Sequence, residues 1–199
     1  MDSAPDRVCE ISRTTKETDI KVRILLDGSG SCNVETGCGF LDHMLSLFGA
    51  HGLFDLTVAA SGDLQVDCHH LSEDIGICLG EALDRALGDR CGIRRYGHAV
   101  VPMDEALATC TVDLSGRGQL VWRVTGLGER VGEMDTEAVP EFFAGFARAS
   151  RSTLHVDLAY GQNTHHMLEA IFKAYGRALS EAVEINPRQG AVPSTKGVL

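Results

Sequence analysis

His69-His70-Leu71-Ser72-Glu73 returns as His165-His166-Met167-Leu168-Glu169, 96 positions later in a chain of 199 residues. The surroundings match in the same register: Asp67 with Asn163, Ile75 with Ile171, Gly80 with Gly176, Ala82 with Ala178 and Leu83 with Leu179. A lone His-His pair is usually incidental, but two copies in register point to metal chemistry. Adjacent helical residues point about 100° apart, so the two histidines of each copy aim in different directions. The glutamate shares a face with either one at i+3 or i+4. Each motif therefore reads as serving two ions, one bound by a histidine with the glutamate and the other by the second histidine. Glu-x-x-His pairs of this kind carry dimetal sites in helical proteins.

Neither motif fills a coordination sphere. His43 and His155 lie in roughly equivalent helix-to-strand regions of the two halves, and with the motifs they make six histidines and two glutamates, four ligands per ion. Imidazole and carboxylate without thiolate suits manganese, iron, zinc, cobalt or nickel. Asp67 and Asn163 are good N-cap residues, which places each His-His pair in a first helical turn. There the macrodipole favours neutral, metal-binding imidazole. His51 and His98 have no repeat partner and read as structural or outlying.

The elements that must position these groups recur in the same order. Strands are expected over 14–27, near 32–35 and over 53–60, with helices over 40–52 and 71–87. In the second half, strands are expected over 106–114, 120–125 and 154–160. Helices follow over 136–150, where Pro140 falls in the tolerant first turn, and over 166–183. The pattern is an α+β fold of two β-β-α-β-α units, each sheet covered by helices on one face. The halves are 1–92 and 93–185, followed by a polar, Pro- and Gly-containing tail over 186–199. The uncovered sheet faces call for the other repeat, another subunit or solvent.

A net charge of −10 argues against nucleic acid or an anionic membrane as the main partner. A local basic pocket for a small phosphorylated ligand remains open. No apolar run reaches membrane-spanning length, and residues 1–19 lack the apolar stretch of a signal peptide. Seven scattered cysteines without a Cys-x-x-Cys pair fit reduced thiols in a cytoplasmic protein.

The chain resembles the imidazoleglycerol-phosphate dehydratase family of histidine biosynthesis. The resemblance runs from Arg13-Thr14-Thr15-Lys16-Glu17-Thr18 through Phe40-Leu41-Asp42-His43-Met44, His51-Gly52-Leu53-Phe54-Asp55-Leu56 and both His-His-x-x-Glu motifs. It continues through Pro102-Met103-Asp104-Glu105-Ala106-Leu107, Asp113-Leu114-Ser115-Gly116-Arg117 and Phe172-Lys173-Ala174 to Pro193-Ser194-Thr195-Lys196-Gly197. It implies a duplicated fold like the second domain of ribosomal protein S5, and 24 subunits built from trimers with active sites between subunits. It also implies two manganese ions per site, held by His43, His69, His70, Glu73, His155, His165, His166 and Glu169. The implied reaction is loss of water from imidazole glycerol phosphate, with the metal-bound ring acting as an electron sink in the form of an imidazolate. Glu17 is the implied general acid/base and Asp104 a weaker candidate for positioning substrate or water. Arg95, Arg117, Ser194 and Lys196 are the implied phosphate ligands, since guanidinium forks, a hydroxyl and an ammonium suit that group. Lys173, one turn after Glu169, either forms an i,i+4 pair with it or tunes the site.

Leu71-Ser72 stands where Thr-Val is more usual in the family, and Leu47 where a polar residue is common; the ligand spacing is intact. Two rival readings are a dimetal hydrolase and a metal-storing shell protein without turnover. The latter leaves Glu17 and the Arg95, Arg117, Lys196 set without a role.

Overall fold

The computed structural model describes residues 7–199. Two four-stranded sheets have the same construction. In the first, β1 (Val8–Thr14), β2 (Thr18–Leu25), β4 (Asp55–Gly62) and β3 (Cys32–Glu35) lie side by side in that order. In the second, β5 (Tyr96–Met103), β6 (Ala106–Asp113), β10 (Thr153–Tyr160) and β7 (Gln119–Arg123) repeat it. In each sheet the first three strands run antiparallel and the fourth runs parallel to its neighbour. Parallel neighbours need a crossover, and the helices α1 (Gly39–Gly52) and α3 (Ala138–Ala149) supply it. The helices α2 (His69–Leu87) and α4 (Thr164–Val183) close the two units. Between β7 and α3 a small hairpin of β8 (Arg130–Val131) and β9 (Met134–Asp135) is inserted.

Each unit is thus the expected α+β pattern with one further strand at its start. β1 escapes the sequence pattern because only Ile11 of its seven residues is buried. β5 escapes it because its inward positions begin with Gly97 and Ala99, and because Pro102 interrupts the run. Proline is tolerated there because β5 is an edge strand.

All four helices lie between the sheets. α2 packs on β1 and β2, α4 on β5 and β6, while α1 meets α4 and α2 meets α3. Alternation drives this: Ile20, Val22 and Ile24 of β2 point to the helices and are buried, while Lys21 and Arg23 point out and are exposed. The central core is aromatic, with Phe48, Phe142, Phe143, Phe146, Phe172 and Tyr175 all buried.

The helix pairs meet almost backbone to backbone. A Cβ on Gly176 would stand 2.5 Å from the Phe48 carbonyl oxygen, and one on Gly80 would stand 2.5 Å from that of Phe146. Only glycine permits this approach. These paired contacts align the halves: Phe48 of α1 corresponds to Phe146 of α3. Counting back five residues from each, His43 corresponds to Glu141.

Candidate metal and phosphate sites

The second motif begins at a capped helix end. Asn163 is the N-cap of α4, and its side chain accepts from the backbone N–H groups of His165 and His166 at 2.9 and 3.4 Å. The first motif differs by one position: Cys68 holds the N-cap place of α2 and gives no side-chain cap. Asp67 still accepts from the His69 N–H at 2.7 Å, so it satisfies a free donor from one residue earlier than expected.

At the α1–α4 contact, His43, His165 and Glu169 offer ligand atoms all within 4.8 Å of one another. His165 Nε2 lies 3.1 Å from Glu169 Oε2, and His43 Nε2 lies 3.6 Å from the same oxygen. Lys173 Nζ takes the other oxygen, Oε1, at 2.5 Å, and also reaches Met103 Sδ at 3.4 Å. Burial opposes the Glu169 charge, but Lys173, His165 and His43 outweigh it and hold the carboxyl below its ordinary range.

The first motif has a related arrangement at the α2–α3 contact, without the third ligand. Glu73 Oε1 is bound by Arg148 at 2.9 Å, as Glu169 Oε1 is by Lys173. Because Glu141 corresponds to His43, no histidine of α3 completes the cluster. His155 lies elsewhere, exposed on the outer face of β10 between buried Leu154 and Val156. The expected equivalence of His43 and His155 is therefore wrong: one is on a crossover helix and the other on a strand whose counterpart is β4.

The second histidine of each motif is held by a carboxylate. His70 Nδ1 is 3.0 Å from Asp63 Oδ2, and His166 Nδ1 is 2.8 Å from Glu105 Oε2. Asp63 and Glu105 raise the pKa values of His70 and His166 above the ordinary imidazole value. The carboxylates thus favour the charged rings, against the neutral form that the helix macrodipole favours. The hydrogen bond from His166, followed by backbone N–H groups including those of Asn163 and Gln162, pulls Glu105 down to about 2.

Glu17 and Asp104 lie in equivalent turns of the two units, where the strand registers match Glu17 with Glu105. Glu17, near the β1–β2 turn, lies 3.9 Å from His70 Nδ1, and Asp104, in the β5–β6 turn, lies 3.7 Å from His166 Nε2. Asp104 sits at φ +47°, which holds the turn tight over the α4 motif.

All four expected phosphate ligands line one cleft of about 770 Å³: Arg95, Arg117, Ser194 and Lys196, with Tyr96 and Ser115. The tail reaches it because Arg95 Nη1 donates to the Pro193 carbonyl at 2.8 Å. Asp113 aims the Arg95 guanidinium through contacts of 2.7 and 3.2 Å and raises its pKa further. His51 is outside the metal-ligand cluster. It lies beside Arg177, and its pKa is lowered by desolvation, then by Lys173 and Arg177.

The family model described as imidazoleglycerol-phosphate dehydratase matches residues 36–179, most of the chain. The chain belongs to the imidazoleglycerol-phosphate dehydratase family. Membership makes it an enzyme of the dehydratase class. The imidazoleglycerol-phosphate dehydratase of Syntrophobacter fumaroxidans is 59% identical over 189 residues, covering 95% of this chain and 96% of the relative. That of a Geobacillus species is 58% identical, covering 97% and 99%. The crystal structure of the Staphylococcus aureus dehydratase superposes with a TM-score of 0.81 at 41% identity, over 90% of this chain and 99% of the other. The structure of the Pyrococcus furiosus family member in complex with (S)-C348 gives 0.82 at 40%, over 95% and 100%. Sequence reasoning missed Asp63, Glu105, Arg148 and Asp113. Asp104-Glu105 and Asp113 stood inside matched segments, but nothing local distinguished an anchoring carboxylate from a solvated one.

Proposed function

We propose that this chain converts imidazole glycerol phosphate to imidazole acetol phosphate and water in histidine biosynthesis, with two manganese ions per site. The observation that carries the reading is the His43–His165–Glu169 cluster in the same chain as a cationic cleft containing Arg95, Arg117, Ser194 and Lys196. The donor set fits a divalent ion of the manganese–zinc series, because three N/O donors already converge without thiolate. Asp63 Oδ1, buried and without a partner, is a further acceptor beside the first motif.

His43, His165 and Glu169 would hold one ion. His69, His70, Glu73, His166 and His155 are the remaining ligands, which complete that sphere and form the second, with His155 joining from a neighbouring subunit. His155 has this role because its exposed place on an outer sheet face suits reach into another copy. That sharing calls for a homo-oligomer, for which the family resemblance implies 24 subunits built from trimers, and the cytoplasm is the expected compartment. No helix among the described residues is long and apolar enough to cross a membrane.

When bound, the metals supply Lewis-acid polarisation of the imidazole ring. The chain supplies the rest. Arg95 and Arg117 offer planar donor forks to the phosphate, and Ser194 and Lys196 add a hydroxyl and an ammonium. Glu17, exposed beside the first motif, takes the proton from the hydroxyl-bearing carbon one removed from the ring. It returns a proton as the hydroxyl on the carbon beside the ring leaves as water, so that the resulting enol becomes the ketone. Asp104 positions substrate over the second motif.

The test is turnover of imidazole glycerol phosphate by metal-stripped protein, with and without added manganese. Restored formation of the ketone product supports the reading. Turnover of phosphate esters alone, or bound metal without any turnover, refutes it. An Arg117→Ala variant should raise KM more than it lowers kcat, because Arg117 serves the remote phosphate.

A further inference from the structure

The geometry points to Asp63 and Glu105 as positioning residues, which fix the second histidine of each motif in the tautomer with its proton on Nδ1 and a free Nε2. This rests on the two-metal reading above and deepens it. Ionised carboxylates only accept hydrogen bonds, so the 3.0 Å Asp63–His70 and 2.8 Å Glu105–His166 contacts place a donor at Nδ1 of each ring. In the neutral ring the lone pair is then on Nε2, ready for a cation. Carboxylates behind metal-bound imidazoles orient the ring and raise its basicity.

The two devices are not copies inherited from the duplication. Asp63 directly follows β4, in the segment leading to α2, whereas Glu105 stands in the turn between β5 and β6. In the register of the paired strands Glu105 falls on Glu17, whereas Asp63 falls just beyond the end of β10, so the two are not counterparts. Unrelated positions thus reach the same atom of equivalent histidines, while the ligand motifs themselves repeat. A surface ion pair left over from folding would not recur in this way.

The Glu105 carboxylate and the Asp63 backbone are also anchored independently of the histidines. Glu105 Oε1 accepts from the backbone N–H groups of Gln162 and Asn163 at 3.1 and 2.7 Å. This ties the β5–β6 turn to the start of α4, so the carboxylate and the imidazole belong to one rigid corner. Asp63 donates its backbone N–H to the Glu17 carbonyl at 3.1 Å, and its own carbonyl accepts from Val66 at 2.7 Å. The same residue therefore holds both the ring of His70 and the segment bearing Glu17. His165, the first histidine of its motif, instead directs Nε2 at Glu169, so the carboxylate anchor belongs to the second histidine.

The experiment has two independent readouts on the full-length protein. The first is the nitrogen-15 spectrum of the metal-free wild-type protein, recorded through a pH titration and read on the alkaline side, once both rings have lost their charge. His70 and His166 should show protonated Nδ1 and unprotonated Nε2. The second is manganese affinity, measured by calorimetry or electron paramagnetic resonance, in Asp63→Asn and Glu105→Gln. Each should bind about 10–100-fold more weakly, with unchanged circular dichroism. Protonated Nε2 in the wild-type protein overturns the assignment, as does affinity within twofold of wild type in both variants. If wild-type protein binds no manganese, the two-metal reading fails, and the tautomer spectrum still decides the positioning claim.

Discussion

Tyr175→Phe should make the protein more stable, although it removes a polar group from a residue at the centre of the core. The Tyr175 side chain is buried and its hydroxyl has no hydrogen-bond partner. An unsatisfied buried donor or acceptor costs about 1–3 kcal/mol of desolvation. The ring's own packing does not depend on the oxygen: Phe48 stacks on it at 5.2 Å, and Phe143 and Phe146 meet it edge-on at 5.3 Å. Deleting one oxygen leaves a void of atomic size, and at about 24 cal/mol per Å³ that offsets only a few tenths of a kcal/mol. The net expectation is a gain of about 1–2 kcal/mol, which in a chain of this length is a rise of about 2–4 °C in Tm per kcal/mol. Urea unfolding at fixed protein concentration, followed by circular dichroism, should show a higher midpoint with an unchanged slope. Burial also holds the phenol well above its ordinary pKa, so this tyrosine should resist alkaline titration until the protein unfolds. A loss of stability of about 1 kcal/mol or more in Tyr175→Phe would mean that the hydroxyl makes a bond in solution, and the reasoning would fail.

Gly176→Ala should destabilise the protein by about 1–3 kcal/mol through overpacking and weaken metal binding, because it pushes α1 from α4 and so His43 from His165 and Glu169. Gly190→Ala, which meets only open space, is the control; equal unfolding midpoints and metal affinities in the two variants would contradict the close approach. The raised pKa values of His70 and His166 give the metal-free protein a stability contribution that is complete below the ordinary imidazole pKa of about 6.5 and is lost as pH rises through the folded values. Manganese competes with those same protons, so its affinity should fall with acidification from a pH already above about 6.5. Thermal melts with and without manganese between pH 6 and 8 should therefore show opposite slopes, and parallel slopes would refute the linkage.

The helices were the most legible part of the sequence. Leu71, Ile75, Cys78, Leu79, Ala82 and Leu83 of α2 are buried along one stripe, as a 3.6-residue period requires. β1 and β5 were not legible, because an edge strand with one buried large side chain, or with Gly and Ala inward, carries no period-2 signal. Of the site, the sequence reading named the motifs, Glu17 and the four residues Arg95, Arg117, Ser194 and Lys196 that line one cleft; their roles there belong to the proposed function. What sequence could not supply were partners defined by three-dimensional closure. Asp63 and Glu105 reach their histidines from segments with no shared spacing, and Arg148 meets Glu73 only because α3 packs on α2. The relation of His43 to His155 failed for the same reason: a spacing argument cannot distinguish a crossover helix from the strand that follows its counterpart.

The glycine contact between α1 and α4 bears on the thermodynamics of loading. The spacing of the backbones that carry His43 and His165 is set where Gly176 meets Phe48, backbone against backbone. The conformational entropy of bringing those ligands together is therefore lost when the chain folds rather than when an ion arrives. Metal capture in this fold resembles filling a cast mould, unlike small zinc domains whose folding waits for the ion. Empty and loaded protein should share one backbone, and a chelator should strip the metal without unravelling the helices.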